Sequence, residues 1–292
     1  MLRCRPLGVG SVFIGCVTDS LRLRVRIEAD PQTVFKALTD ADELTEWFAE
    51  SAEVDLEAGR YEFWGRYAPS GDRPRQTLTG YDADRSLTFT WTFDAGPSTV
   101  ELTLTPEDEG TVVTLHHNSV PVDLAALRCF WYVTLANLVA YSEARQTMPP
   151  FDFSVPAQGD ALVRTVIDVP VEEAYASLLD SALMSRWNSG PVTIEPRVGG
   201  RYDLGWDDYG PDQITELDQD KALAYTWRNR GGGSSHVRWA LRSSRGATYL
   251  TLVHSGFADD ALAEESRLLW PPHLVELKRL LELGSLWAPM SS

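Results

Sequence analysis

"VFKALTDADELTEWF", residues 34 to 48, returns 140 residues later as "AYASLLDSALMSRWN", residues 174 to 188. Phe35 aligns with Tyr175, Leu38 with Leu178 and Trp47 with Trp187. Further matches keep the same order along the chain. "EAGRYEF" (57–63) pairs with "VGGRYDL" (198–204), "SLTFTW" (86–91) with "ALAYTW" (222–227), and His117 with His254. The offset drifts between 136 and 141, as loop insertions require. That spacing far exceeds the 20–50 residues of solenoid units, so one domain has been duplicated. The boundaries are a first domain at 21–147, a Pro- and Gly-bearing linker at 148–160, and a second domain at 161–285.

Each copy follows one order of elements. "LRLRVRIEA" (21–29) alternates apolar and charged residues, the pattern of a half-buried strand. Asp30-Pro31 opens a short helix, with the carboxylate as N-cap and proline at the first helical position. A second short helix ends at Trp47. Six strands follow, near 52–56, 60–68, 75–83, 86–93, 97–105 and 110–119, separated by turn sequences such as "APSGDRP" and "PEDEG". A long helix from about 123 to 143 closes the unit, with Leu124, Leu127, Trp131, Leu135 and Leu138 on one face. In the second copy the same helix carries "WPPH", and Pro271 and Pro272 are expected to break and restart it. The fold class is α+β: a curved antiparallel sheet closed by its last helix, twice over.

These motifs resemble the helix-grip, START-like (SRPBCC) superfamily, and within it the family named after activators of the heat-shock chaperone ATPase. The carrying residues are Trp47 and Trp187, "AGRY" (58–61) and "GGRY" (199–202), "LTFTW" and "LAYTW", "HSGF" (254–257) and the final helix. The likeness spans nearly all of 21–284. The first copy departs from it, with Ala58 for the first glycine and "HNSV" for "HSGF". The resemblance implies a cavity between sheet and helix in each domain.

The residues expected to line such cavities follow from strand parity. In the first domain they are Tyr61, Phe63, Trp91, His117 and, on the helix, Trp131. In the second they are Tyr202, Tyr225, Trp227, Trp239 and His254. Two readings stand for the histidines: polar handles for a ligand, or buried side chains bonded to backbone. Likewise the aromatics either line a pocket or simply fill the core of a small domain. His116 and His236 have surface parity. Arg60 and Arg201 point away from the core, solvated or paired to carboxylates. Phe130, Val133 and Tyr141 lie off the leucine stripe of the first long helix, and this second face is expected to meet the other domain or a dimer mate.

Other chemistry is excluded by composition and spacing. The 292-residue chain carries a formal net charge of −16, which disfavours nucleic acid and anionic membranes. Cys4, Cys16 and Cys129 give neither a disulfide framework nor zinc-ligand spacing, and suit a reducing, cytoplasmic compartment. No apolar run reaches the length of a membrane span. No metal site, cofactor fingerprint, inward carboxylate pair or Ser-His-Asp arrangement is present in the sequence. Residues 1 to 20 suggest either a short signal peptide or a mis-assigned start upstream of Val17, and are expected to be disordered and dispensable.

Three functions fit this description. The first is non-catalytic binding of a hydrophobic or aromatic small molecule. The second is an enzyme of the polyketide cyclase or aromatase type, which would want a partnered inward acid or base. The third is a protein-interaction role like that of chaperone ATPase activators.

Overall fold

The computed structural model describes residues 20–119, 124–188, 191–206 and 209–291. The expectation for residues 1 to 20 therefore falls, but for Ser20, outside the described residues.

In the first domain, β1 (Leu21–Ile27) buries alternate residues, as its sequence requires. Then come α1 (Pro31–Thr39) and α2 (Ala41–Trp47). Asp30 caps α1 by accepting the Thr33 amide at 2.9 Å, and Asp40 caps α2 in the same manner. The strands are β2 (Ser51–Asp55), β3 (Arg60–Trp64), β4 (Gln76–Asp82), β5 (Ser86–Phe93), β6 (Gly96–Glu107) and β7 (Gly110–Asn118), and α3 (Leu124–Ser142) ends the unit. The second domain repeats the plan: β8 (Ala161–Ile167), α4 (Val171–Ser177), α5 (Ser181–Asn188), β9 (Thr193–Ile194), β10 (Tyr202–Asp203), β11 (Gly210–Asp218), β12 (Ala222–Arg228), β13 (Ser234–Ser244), β14 (Ala247–Ser255) and α6 (Asp260–Leu283).

Both main sheets are antiparallel and five-stranded, ordered β1-β7-β6-β5-β4 and β8-β14-β13-β12-β11. Each carries its first strand beside its last, so the long helix is gripped by a sheet that begins and ends next to itself. The hairpins β2–β3 and β9–β10 stand apart from these sheets. Between β3 and β4 the Gln76 side chain takes the place of a ladder acceptor, receiving the Phe63 amide at 3.2 Å. The turn before "RY" uses Gly59 at φ +76° and Gly199 at φ +78°, a left-handed conformation that other residues adopt at a cost.

The prolines do not interrupt α6, contrary to the sequence expectation. The helix runs through Pro271 and Pro272 without a break. A proline in a helix interior costs about 3 kcal/mol. Here Trp270, Pro271, Pro272, Leu274 and Val275 are all buried, and that packing holds the helix where local propensity would end it.

The two long helices pack against each other. Phe130 turns into its own domain against Phe48, Phe63 and Trp91, and Tyr141 stacks on Trp47. The side of α3 nearest α6 brings Cys129 beside Arg267 and Glu264, and Tyr132 beside Arg279. Val275 of α6 and Met290 of the C-terminal tail complete the core of the first domain. Covered by its own sheet and by α6, α3 is apolar all round. By length and composition alone it would suffice to cross a membrane, but 72% of that window is buried within the protein.

The domains are also pinned by polar groups. Glu143 accepts the Glu28 amide and Glu282 accepts the Asp168 amide, each at 2.8 Å, in equivalent positions of the two copies. Arg145 bonds to both glutamates, joining one domain to the other. The tail adds a further contact: the Arg24 amide donates to the Met290 carbonyl at 2.8 Å, while Glu276 accepts the Met290 amide and the Trp287 indole. The linker is docked as well. Asn137 makes paired bonds to the Met148 backbone, the Phe153 amide donates to the Arg66 carbonyl at 2.7 Å, and Arg267 lies over the Phe151 ring.

Candidate functional site

Inward parity places all ten expected residues in the two cores, each at 4% exposure or less. Their polar atoms are largely taken by protein partners. In the first domain, Trp131 on α3 donates its indole N–H to His117 Nδ1 at 3.0 Å, and His117 Nε2 lies 2.8 Å from Ser98 Oγ on β6. In the second, Trp270 on α6 donates to His254 Nδ1 at 3.2 Å, and His254 Nε2 lies 2.8 Å from Ser235 Oγ on β13.

The indole donor fixes the tautomer. A ring nitrogen that accepts from Trp carries no proton, so the proton sits on Nε2 and is donated to the serine. Ser98 then donates to the Trp91 carbonyl at 2.8 Å, and Ser235 to Asn229 Oδ1 at 2.7 Å. Proton direction in this relay runs opposite to that of a nucleophilic serine, whose hydroxyl must donate to the imidazole. Neither serine is activated. Burial holds His117 down to a pKa of about 4. Burial, with His236 nearby, holds His254 down to about 3. Both rings are neutral at physiological pH.

Other members of the set are similarly engaged. Trp239 donates to Tyr225 Oη at 3.0 Å, Tyr202 donates to the Leu178 carbonyl at 2.9 Å, and the Tyr202 and Tyr225 rings stack at 4.5 Å. Burial raises the Tyr61, Tyr202 and Tyr225 hydroxyls well above the usual tyrosine range. Phe63 and Trp91 meet edge to face at 5.0 Å, and Trp91 Nε1 is buried without a partner among the described residues. Arg60 pairs with Glu53 and Arg201 with Asp203. Cys129 is fully buried, and burial pushes its thiol pKa well up.

The copies diverge around the end of the helix pair. Trp47 donates to the Ala37 carbonyl at 3.2 Å, whereas Trp187 Nε1, its counterpart, is buried with no partner among the described residues. Phe48 follows Trp47 and packs on Phe63 at 4.6 Å; Asn188 follows Trp187. Asn188 donates to the Leu204 carbonyl at 2.6 Å and keeps its Oδ1 buried without a partner among the described residues. Three residues past the helix tryptophan, the first copy has Thr134 and the second has His273. His273 is partly exposed and ringed by Trp187 at 6.0 Å, Trp206 at 5.6 Å and Trp270 at 6.2 Å. Its Nδ1 lies 2.8 Å from the Leu269 carbonyl, so Nδ1 carries the proton and Nε2 is a bare acceptor. Burial keeps its pKa below the usual imidazole value.

The same region of the first domain is filled. Phe151 and Phe153 of the linker meet at a tilt with centroids 4.6 Å apart, Phe153 reaches Phe130 at 6.3 Å, and a void of about 10 Å³ remains, room for at most one water.

The sequence model of the family described as "Activator of Hsp90 ATPase homolog 1-like protein" matches twice, over residues 28–143 and 168–282. The chain belongs to this family. Both matches fall on the helix-grip domains, so the Trp–His–Ser pin is a feature of both family repeats here. Among solved structures, a protein of Mesorhizobium loti is similar at 25% identity, with a TM-score of 0.40 over 43% of this chain and 98% of its own. DynU16, a protein of the dynemicin biosynthetic locus, is 19% identical over 88% of this chain and 96% of its own, with a TM-score of 0.34. The Aha1 dimer of Colwellia psychrerythraea is 20% identical over 44% of this chain and 98% of its own, with a TM-score of 0.39. No curated protein matches the chain.

Sequence reading missed Ser98, Ser235 and Trp270 of the pins, and Asn188, Trp206 and His273 of the second domain. A signal for the pins was present. Serine precedes histidine by 19 residues in both copies, and tryptophan follows by 14 and 16. For the second group the signal lay in the differences between aligned copies.

Proposed function

We propose that this protein is a non-catalytic binding module for a flat aromatic small molecule bearing a hydroxyl or carbonyl group, held at the Trp187–Asn188–His273 mouth of the second domain. One observation carries the reading: a buried indole donor and a buried amide acceptor stand unpaired among the described residues, beside a ring of aromatic side chains. An unmade buried hydrogen bond costs about 1–3 kcal/mol, so two together mark a place where a ligand repays its binding. The aromatic walls supply stacking, and His273 Nε2 supplies a second acceptor. The first domain, plugged by its own phenylalanines and the linker, serves as the scaffold.

Binding is favoured over proton transfer. His273 is oriented by a backbone carbonyl and not by a carboxylate, so no partner stabilises the imidazolium that general-base chemistry would generate. The cyclase-like alternative lacks that support. The cysteine pattern suits a cytoplasmic setting for such a module.

Calorimetric titration of the full chain with 2-naphthol tests the proposal. Asn188→Leu and His273→Leu are each expected to weaken binding about five- to tenfold, the scale of one hydrogen bond, while Thr134→Val leaves it unchanged. Absence of binding to the full chain, or equal loss in Thr134→Val, would overturn it.

A further inference from the structure

A further concave site lies away from the residues of both grips. It encloses about 610 Å³ between the linker at 146–150 and the sheet around β8, β13 and β14. That volume falls in the range of small-molecule sites, about 300–1,000 Å³. Its lining contains Arg164 and Arg242 and not one aspartate or glutamate. In a chain with 42 acidic residues and a net charge of −16, a concave site with two cations and no anion stands out.

Sheet register sets the geometry of this site. Arg242 faces Tyr249, and Tyr249 faces Val166; Arg164 faces Thr251, and Thr251 faces Ala240. The two arginines therefore stand on either side of β14 and two residues apart along it, about 12 Å from backbone to backbone, with a phenol and a hydroxyl between them. Neither arginine forms an ion pair or hydrogen bond among the described residues, and the guanidinium of Arg242 rests 5.1 Å above the Tyr249 ring. Several arginines on the outer faces are paired instead, Arg24 and Arg26 with Glu107 and Arg238 with Glu216. An arginine left free at a concave site presents its fork of N–H donors to an incoming carboxylate, sulfonate or phosphate.

We infer that this groove is a second ligand site, for an organic anion with an aromatic body whose acidic groups bridge Arg164 and Arg242 while its ring lies on Tyr249. The linker forms one wall, so an occupant here also braces the junction between the domains.

Naphthalene-2,6-dicarboxylate, titrated calorimetrically into the full chain, is the probe. The expected result is one equivalent bound, with affinity falling as salt is raised, and about a tenfold or greater loss in each of Arg164→Gln and Arg242→Gln. Arg22→Gln, at an exposed arginine on the outer face of β1 with no carboxylate partner among the described residues, leaves binding unchanged. The two groove variants keep their affinity for 2-naphthol, which separates this site from the mouth of the second grip. Absence of binding, insensitivity to both groove substitutions, or an equal loss in Arg22→Gln overturns the assignment. So does inorganic phosphate binding as tightly as the dicarboxylate, which would show attraction to charge alone.

Discussion

Trp131 donates to Nδ1 of His117 at 3.0 Å, and through that bond the long helix is tied to the sheet that wraps it. The Trp270–His254 pair repeats the bond in the second domain. An imidazole at the end of an apolar strand face is thus a two-ended connector. It accepts from the helix on one side and donates to a serine on the neighbouring strand on the other. Its cost of burial is offset because both nitrogens are paired.

His254→Leu should therefore destabilise the protein. The change strands the Trp270 N–H in a dry core and takes from the Ser235 oxygen the bond it accepts, leaving only its donation to Asn229, at a cost of about 1–3 kcal/mol. Denaturant melts of His254→Leu and His117→Leu should both show this loss. Unchanged midpoints would mean that the histidines are not structural.

Acid should act on the same bonds. A histidine whose folded pKa is depressed contributes stability that is present above the unfolded value near 6.5 and is lost as pH falls towards the folded value. With folded values of about 4 and about 3, each pin should lose roughly 2 kcal/mol between pH 7 and pH 5. Melts at the two pH values should show a steep fall in the native protein and a shallower one in His117→Leu.

The two helix-pair tryptophans should behave differently. Trp47→Phe removes the bond to the Ala37 carbonyl and should cost about 1 kcal/mol beyond the change in packing. Trp187→Phe removes an N–H that has no partner, so its cost should be smaller by that amount. Equal losses in a parallel pair of melts would contradict the assignment of Trp187 Nε1 as unpaired.

Met290 should matter to a domain to which it does not belong in sequence. It is fully buried in the first domain's core, and its carbonyl holds the Arg24 amide of β1. Met290→Ala should destabilise that domain by about 2–4 kcal/mol. Hydrogen exchange should show the β1 amides, that of Arg24 first, losing protection. Fraying confined to the second domain would count against a latch.

Much of this architecture was legible before any coordinates. Strand alternation at 21–27, the Asp30-Pro31 helix start and the internal repeat each report a local rule that the fold obeys. The failure at Pro271-Pro272 has a physical cause: propensity is a local term, and burial of the surrounding helix outweighed it. For Phe130, Val133 and Tyr141 the helical periodicity gave a direction and not the identity of the neighbour, and the rings that Phe130 and Tyr141 meet lie on distant segments of the chain. The histidines were found by parity, but their partners sit 14 to 19 residues away on other elements, a pairing that only the sheet register and helix docking bring about. Asn188 and His273 escaped notice because they differ between the copies, and the repeat was read for its agreements.

The most direct test of the central claim follows the histidine ring nitrogens by ¹⁵N NMR at pH 7 while 2-naphthol is added. The account predicts His117 and His254 as fixed Nε2–H tautomers whose signals do not move, and His273 as an Nδ1–H tautomer whose Nε2 signal shifts on binding. A shift at His254 with His273 unmoved would contradict it, returning the ligand to the heart of the grip and the pins to the role of handles.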